Sequence, residues 1–321
     1  MGAVHLEITP RFSGALKVSL PLTAWPEPKR YPLEELIKLE GAARNQQTIW
    51  YPGHMAAQQC KAEHGVHDAL LRMTAKPEGA NTLIAEAAAL DWPDDLRGSS
   101  VTARQSKDAC GIEVSFTANG GHTYTFDKFV AFTSGNLEKA AAYAQRGRSH
   151  GFSEVRKSHA EAWRQLWQAD IQVDGDPNLQ TVIHSMLFYL LGSATDRLEL
   201  SVPPMGLSTA GYHGHIFWDT FMFPVLIALH PEMAKSLVMF RYRTLDAARR
   251  NAKRNGRLGA MYPWEAGPDG TAPRFAYQNA LSENHVNADV ALAAWQYFLA
   301  TGDRAWLETY GYPIIHDTAD F

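Results

Sequence analysis

Between Pro204 and Asp219 the chain reads PMGLSTAGYHGHIFWD, a stretch that gathers glycines, histidines and a Trp-Asp pair. A hexose ring offers an apolar face that stacks on indole and a rim of hydroxyls that needs fixed donors and acceptors. Trp218 beside Asp219, with His213 and His215 close by, supplies both kinds of group, and Gly206, Gly211 and Gly214 let backbone approach a ligand closely. Each residue alone is more simply a packed indole, a capping carboxylate or a solvated imidazole. Together they read as a sugar site.

Further residues compete for chemical roles. Glu265 follows Trp264 in YPWEA, after the turn-prone Gly259 and Pro263. A carboxylate beside an indole can have a raised pKa, as a general acid needs. The plainer reading is a structural hydrogen bond to its loop. His213 and His215 would face one way on a strand, but no third ligand is spaced to complete a metal site, so none is expected. Arg241, Arg243, Arg249, Arg250, Lys253 and Arg254 form a basic run that reads mainly as a solvated helix face, with Arg243 the exception worth testing. His285 and Asp289 stand at i and i+4, the spacing of a structural pair on one helix face.

Bulk properties narrow the partners. The 321 residues carry a formal net charge of −4 with a pI near 6.3. That leaves no basic field for nucleic acid or anionic membrane, and a neutral substrate fits better. No apolar run reaches the roughly 18 to 20 residues that span a bilayer, and the opening MGAVHLEITPRF lacks a signal-peptide pattern, so the chain reads as soluble. Cys60 and Cys110 are far apart and lack CxxC spacing, so neither a zinc knuckle nor a disulfide framework is indicated, and their connectivity stays open.

The elements that must position the site change texture along the chain. Up to about Gly135 strands dominate: Ile112, Val114 and Phe116 alternate onto one face, and Asn119-Gly120-Gly121 marks a hairpin turn. Leu33 to Glu40 suggests a short helix after Pro32, while Ile84 to Leu90 suits either strand or helix. Ser158 with Glu161 forms a capping box that predicts a helix start, with Trp163, Leu166, Trp167 and Ile171 inward. Asp176-Pro177 predicts an N-cap for a helix whose Leu179, Val182, Ile183, Met186, Leu187 and Leu190 form a well buried side. Further helices are expected from His230-Pro231 to Gly256, from Val286 to Leu299 and from Ala305 to Phe321, the last two separated by Thr301-Gly302-Asp303. Apolar periodicity continues to Phe321, so the helical part reads as cut off. Ile314, Ile315 and Phe321 are expected to lack core partners and to leave apolar surface exposed.

With these residues in view, the chain resembles glycoside hydrolase family 65, whose members hydrolyse or phosphorolyse α-glucosidic bonds. The resemblance rests on PPMGLSTAGYHGHIFWDT, FRYRTLDAARRNAKRNGRLGAMYPWEA and ENHVNADVALAAWQYFLATGD in the family's order. WPEPKRY and IWYPGHM are similar to the family's hydrolase branch. The resemblance implies an α+β multidomain chain: a β-sandwich over residues 1–150, a helical linker over 151–175 and the first part of an (α/α)6 barrel over 176–321. It also implies that Trp218 and Asp219 hold glucose in subsite −1, with His213, His215, Tyr242, Arg243, Trp264 and Glu265 forming or supporting the same pocket.

The resemblance carries departures too. After Asp219 the chain reads Thr220, Phe221, Met222, Phe223 and lacks about two residues, including a second acid, that the family places there. The family's general acid and base fall past Phe321, so no catalytic residue is expected within 1–321, and the start reads as short of the first sandwich strands. The expectation is an inverting hydrolase of an α-linked glucosyl oligosaccharide or glucosyl-glycan, needing no metal or organic cofactor and inactive as this piece alone. The alternatives are an inverting phosphorylase of the same family or a non-catalytic carbohydrate-binding fragment. A homodimer is left open, and the compartment, cytoplasmic or periplasmic and secreted, is not legible.

Overall fold

The computed structural model describes residues 1–24, 55–77, 82–197, 199–206, 211–219, 224–272 and 283–321, and the side chain of His213 lies outside that description. The short helix expected at Leu33 to Glu40 and the shortened stretch Thr220 to Phe223 also fall outside it. The described residues divide into two compact units, one ending at Gln165 and one starting at Leu166.

The first unit is a two-layer sandwich. One antiparallel sheet has the order β1 (Gly2–Ile8), β8 (Tyr124–Ser134), β5 (Ile84–Asp91), β4 (Asp68–Pro77), β3 (Met55–His64); the other has the order β2 (Gly14–Thr23), β7 (Ala109–Ala118), β6 (Ser100–Gln105). Alternation decides which side chains meet between the layers. On β7, Ile112, Val114 and Phe116 are buried, and they join Leu20 and Leu22 of β2, Leu71 and Met73 of β4, Leu90 of β5 and Phe126 of β8 in one core. The β7–β8 hairpin turns through Asn119 to Gly121, where His122 N–H donates to the Asn119 carbonyl.

The ambiguous alanine run is strand β5, in the middle of the larger sheet. Its other face explains the alanines: Ala85, Ala87 and Ala89 pack with Ala131 against Ala140, Ala141 and Ala144 of helix α1 (Leu137–Leu166), and small side chains let helix and sheet approach closely. The helix start expected at Ser158 is corrected. Asn136 Oδ1 accepts from Lys139 N–H at 2.9 Å, so the helix opens there and Ser158 lies well inside it. Its one break is Gly151, whose φ of 77° suits a residue without a Cβ.

Cys60 and Cys110 are joined as a disulfide, which answers the connectivity that their spacing left open. They lie on β3 and β7, so the bond ties the two layers together across 50 residues of sequence. Sequence spacing could not show this, because the two cysteines meet only when the sheets pack.

The second unit is helical. Asp176 caps α2 (Pro177–Ser193) by accepting from Asn178 and Leu179 N–H. Only Leu187 and Leu191 of α2 are fully buried; Leu179, Val182 and Met186 are 45%, 48% and 66% exposed, which corrects the expected buried face. The long helix expected to Gly256 is two: α4 (Pro231–Arg243) and α5 (Leu245–Arg254), after the short α3 (Pro224–Leu229). They meet at Thr244, whose hydroxyl bonds back to the Phe240 carbonyl and so competes with the helical pattern. Helix α6 (His285–Thr301) ends at Gly302 in the left-handed conformation, and Asp303 then caps α7 (Arg304–Trp306). A single π turn leads into α8 (Tyr312–Ala319), where Ile314 is buried rather than unpartnered. Among the described residues no helix is long and apolar enough to cross a membrane.

Candidate functional site

Two short strands carry the centre of the candidate site. β9 (Ile216–Phe217) and β10 (Glu265–Ala266) pair antiparallel, Phe217 opposite Glu265 and Ile216 opposite Ala266. The ladder extends one step, since Trp218 N–H donates to the Trp264 carbonyl at 3.2 Å. The two indoles are thereby brought from distant sequence to the same end of one ladder. Glycine and a 3-10 turn make this possible: Gly211–Gly214 turns sharply, Tyr212 sits at φ 55°, and His215 N–H closes onto the Tyr212 carbonyl. His213 belongs to that turn, and His215 stands just before β9.

Glu265 is buried, and its Oε1 lies 2.6 Å from His215 Nδ1. A buried carboxylate needs such a partner. Aromatic edges close the cluster: Phe217 meets Trp264 at 4.8 Å and Tyr212 at 5.1 Å, while both tryptophans stay partly exposed. The arrangement can present a flat apolar surface beside a fixed imidazole and carboxylate.

Beneath the ladder lies a buried polar relay that sequence reading missed. Arg241 Nη2 donates to the Phe217 carbonyl at 2.7 Å, the Tyr262 hydroxyl donates to the Arg241 carbonyl at 2.8 Å, and Asn287 clasps Tyr262 N–H and the Ala260 carbonyl. Burial pushes the Arg241 guanidinium down to about 10, with Tyr262 and Asp219 acting in the opposite direction. Burial likewise pushes the Tyr262 hydroxyl up. Arg241 is buried, which corrects the solvated helix face expected of its basic run. The available signal was its spacing from Leu237, Phe240 and Thr244, which shares one helix face.

The remaining expected residues divide. Arg243 is exposed and bonds the Glu199 and Pro268 carbonyls, the latter just beyond β10. Tyr242 packs edge-on against Tyr310 at 5.0 Å. Asp219 is exposed at the end of the β9 segment. His285 does bond Asp289, at 2.6 Å, and its ring also meets Trp218 at 4.7 Å. Elsewhere, His316, Asp317 and Asp320 cluster within 4.8 Å, but Asp317 is committed to Arg249 at 2.5 Å, as in an ion-pair network.

Two family models match the chain: the glycosyl hydrolase family 65 N-terminal domain over residues 1–166 and the family's central catalytic domain over 184–321. A kojibiose hydrolase of Flavobacterium johnsoniae is 45% identical over 213 residues, covering 63% of this chain and 31% of the relative. One of Mucilaginibacter mallensis is 39% identical over 262 residues, covering 78% and 39%. A kojibiose phosphorylase of Caldanaerobacter subterraneus is 37% identical over 230 residues, covering 65% and 30%. A solved structure from the human microbiome, assigned to kojibiose phosphorylase, superposes with a TM-score of 0.77 at 18% identity, over 99% of this chain and 40% of that one. That likeness speaks for the fold alone. The chain thus spans 31% and 39% of the length of these two hydrolases. Its sheet unit followed by helices, and the match over its first 166 residues, carry one conclusion: the chain belongs to glycosyl hydrolase family 65.

Proposed function

We propose that this chain is part of an inverting α-glucosidase, and that the β9–β10 ladder forms the glucosyl-binding wall of its active site. The observation that carries the reading is the pairing of Trp218 with Trp264 beside the buried His215–Glu265 bond. A stacked sugar face and fixed hydroxyl partners need that combination. In this reading Trp218 and Asp219 hold the ring in subsite −1, Glu265 and His215 orient its hydroxyls, and Trp264, Tyr242, Arg243 and His213 form or support the same pocket.

Inversion calls for a general acid that protonates the leaving oxygen and a carboxylate base that activates water on the opposite face, about 6.5 to 9.5 Å away. Neither role falls to Asp219 or Glu265 here; both belong to the part of the family's length that this chain does not span. The helices from residue 176 are the opening members of an (α/α)6 barrel, with residues 151–175 leading into it. Identity to the hydrolases above that to the phosphorylase supports hydrolysis as the reaction. The phosphorylase reading keeps the same glucosyl wall and replaces water with phosphate.

The test is glucose release from kojibiose, nigerose, maltose and trehalose by the whole polypeptide containing this chain, with and without phosphate. Phosphate-independent release supports the hydrolase. Strict phosphate dependence replaces it with the phosphorylase, and turnover by residues 1–321 alone would return Asp219 and Glu265 to catalysis.

A further inference from the structure

His285 opens helix α6, a position that disfavours positive charge, because the amides of a helix N-terminus carry a partial positive charge of their own. The local carboxylates outweigh this. Nδ1 lies 2.6 Å from Asp289 Oδ2 and Nε2 lies 3.2 Å from Glu283 Oε2, so both ring nitrogens face an acceptor. Only the imidazolium donates at both ends. The ring is thus held at two points, and its centroid stands 4.7 Å from that of Trp218 with the planes at 85°. Edge contacts of this kind prefer a defined mutual orientation. Nothing in a bare i, i+4 pair requires an indole there.

We propose that His285 is a positioning residue of the glucosyl-binding wall: clamped between Asp289 and Glu283, its ring sets the plane of the Trp218 indole on which the sugar stacks. The proposal rests on the reading of the ladder as that wall. The hydrogen bond to Asp289 raises the His285 pKa above its ordinary value; desolvation opposes it, and the charge of Asp289 and Glu283 adds to the rise. Among the described residues those are the charged groups acting on it; from the ladder side it meets the neutral Trp218. Loss of the proton leaves Nε2 as an acceptor facing a carboxylate, so one of the two clamps lets go.

The experiment uses the 321-residue chain and its intrinsic fluorescence. The chain has 9 tryptophans, so the Trp218 component is taken as the difference from Trp218→Phe. An imidazolium against an indole quenches it more than a neutral imidazole does. Over about pH 5 to 9 the Trp218 component is expected to brighten in one step, with a midpoint above the ordinary histidine value of about 6.5. The step disappears in His285→Gln and moves to lower pH in Asp289→Asn. D-glucose affinity, read by titration at the acid end, falls between about twofold and about tenfold in His285→Gln. A Trp218 component that does not change with pH, or a step that survives His285→Gln, overturns the proposal, as does unchanged glucose affinity in that variant. If the parent chain itself binds no glucose, the sugar reading fails, while the emission step, measured without sugar, still decides whether His285 governs Trp218.

Discussion

Among the described residues the sandwich unit buries one polar side chain, Thr74, whereas the helical unit buries Ser236, Arg241, Thr244, Glu265, Asn287 and Thr318. The second set divides again. Thr244 and Thr318 bond carbonyls four residues back in their own helices. Ser236, Arg241, Glu265 and Asn287 bond partners 36, 24, 50 and 27 residues away. An unpaired buried polar group costs about 1 to 3 kcal/mol, so each long-range bond strongly favours one arrangement of the segments it joins. The sandwich obtains its geometry from alternating apolar faces and one covalent tie; the helical unit spends buried polar bonds on fixing a ladder. Chemistry is expected where geometry is held that way.

The largest effect that sharpens this contrast concerns the tie. Breaking Cys60–Cys110 by Cys60→Ser with Cys110→Ser frees a 50-residue span, and the chain-entropy relation puts the loss at about 4 kcal/mol. Chemical denaturation is expected to show it in the sandwich transition, with the near-ultraviolet dichroism of the helical unit unmoved. Next in size is Arg241→Met, which removes the bond from Arg241 Nη2 to the buried Phe217 carbonyl. A loss of about 2 kcal/mol is expected, together with altered Trp218 and Trp264 emission. If that variant melted like the parent, the ladder would not depend on the relay.

Some of this was legible and some was not, for physical reasons. Ile112, Val114 and Phe116, the Asn119–Gly121 turn, the Asp176 cap and the Gly302 stop all act within a few residues, so sequence carries them whole. Ser158 carried a genuine capping signal, but Asn136 had already opened the helix, and a chain in a helix has no use for a second start. The disulfide, the His215–Glu265 bond and the burial of Arg241 in place of Arg243 depend on which segments pack, and no local pattern encodes that. The i, i+4 pairing of His285 and Asp289 could be read; its contact with Trp218 could not.

A smaller effect tests the sandwich side. Desolvation pushes the Glu86 carboxyl on β5 up to about 7, with Lys128 pulling the other way. Because the folded value exceeds the ordinary 4.5, the protonated form favours folding: that contribution is full below about pH 4.5 and is lost as pH rises through about 7. Glu86→Gln is expected to match the parent near pH 4 and to exceed it by about 1 kcal/mol near pH 8, allowing for solvent screening of a half-exposed group. Equal stability curves for the two proteins would remove Glu86 from the account. The smallest effect is on α2, where Met186→Lys replaces a 66% exposed side chain. Stability should change by less than about 0.5 kcal/mol, while light scattering at high concentration should fall, because an exposed apolar stripe favours association.

The most direct test of the ladder as a sugar wall is calorimetric titration of D-glucose into the 321-residue chain, its Trp218→Ala variant and its Glu265→Gln variant. The account predicts saturable binding to the parent and a loss of at least about tenfold, or about 1.4 kcal/mol, in Trp218→Ala, with a smaller loss in Glu265→Gln. Equal affinity in the parent and in Trp218→Ala would contradict it and move the glucosyl site away from the β9–β10 ladder.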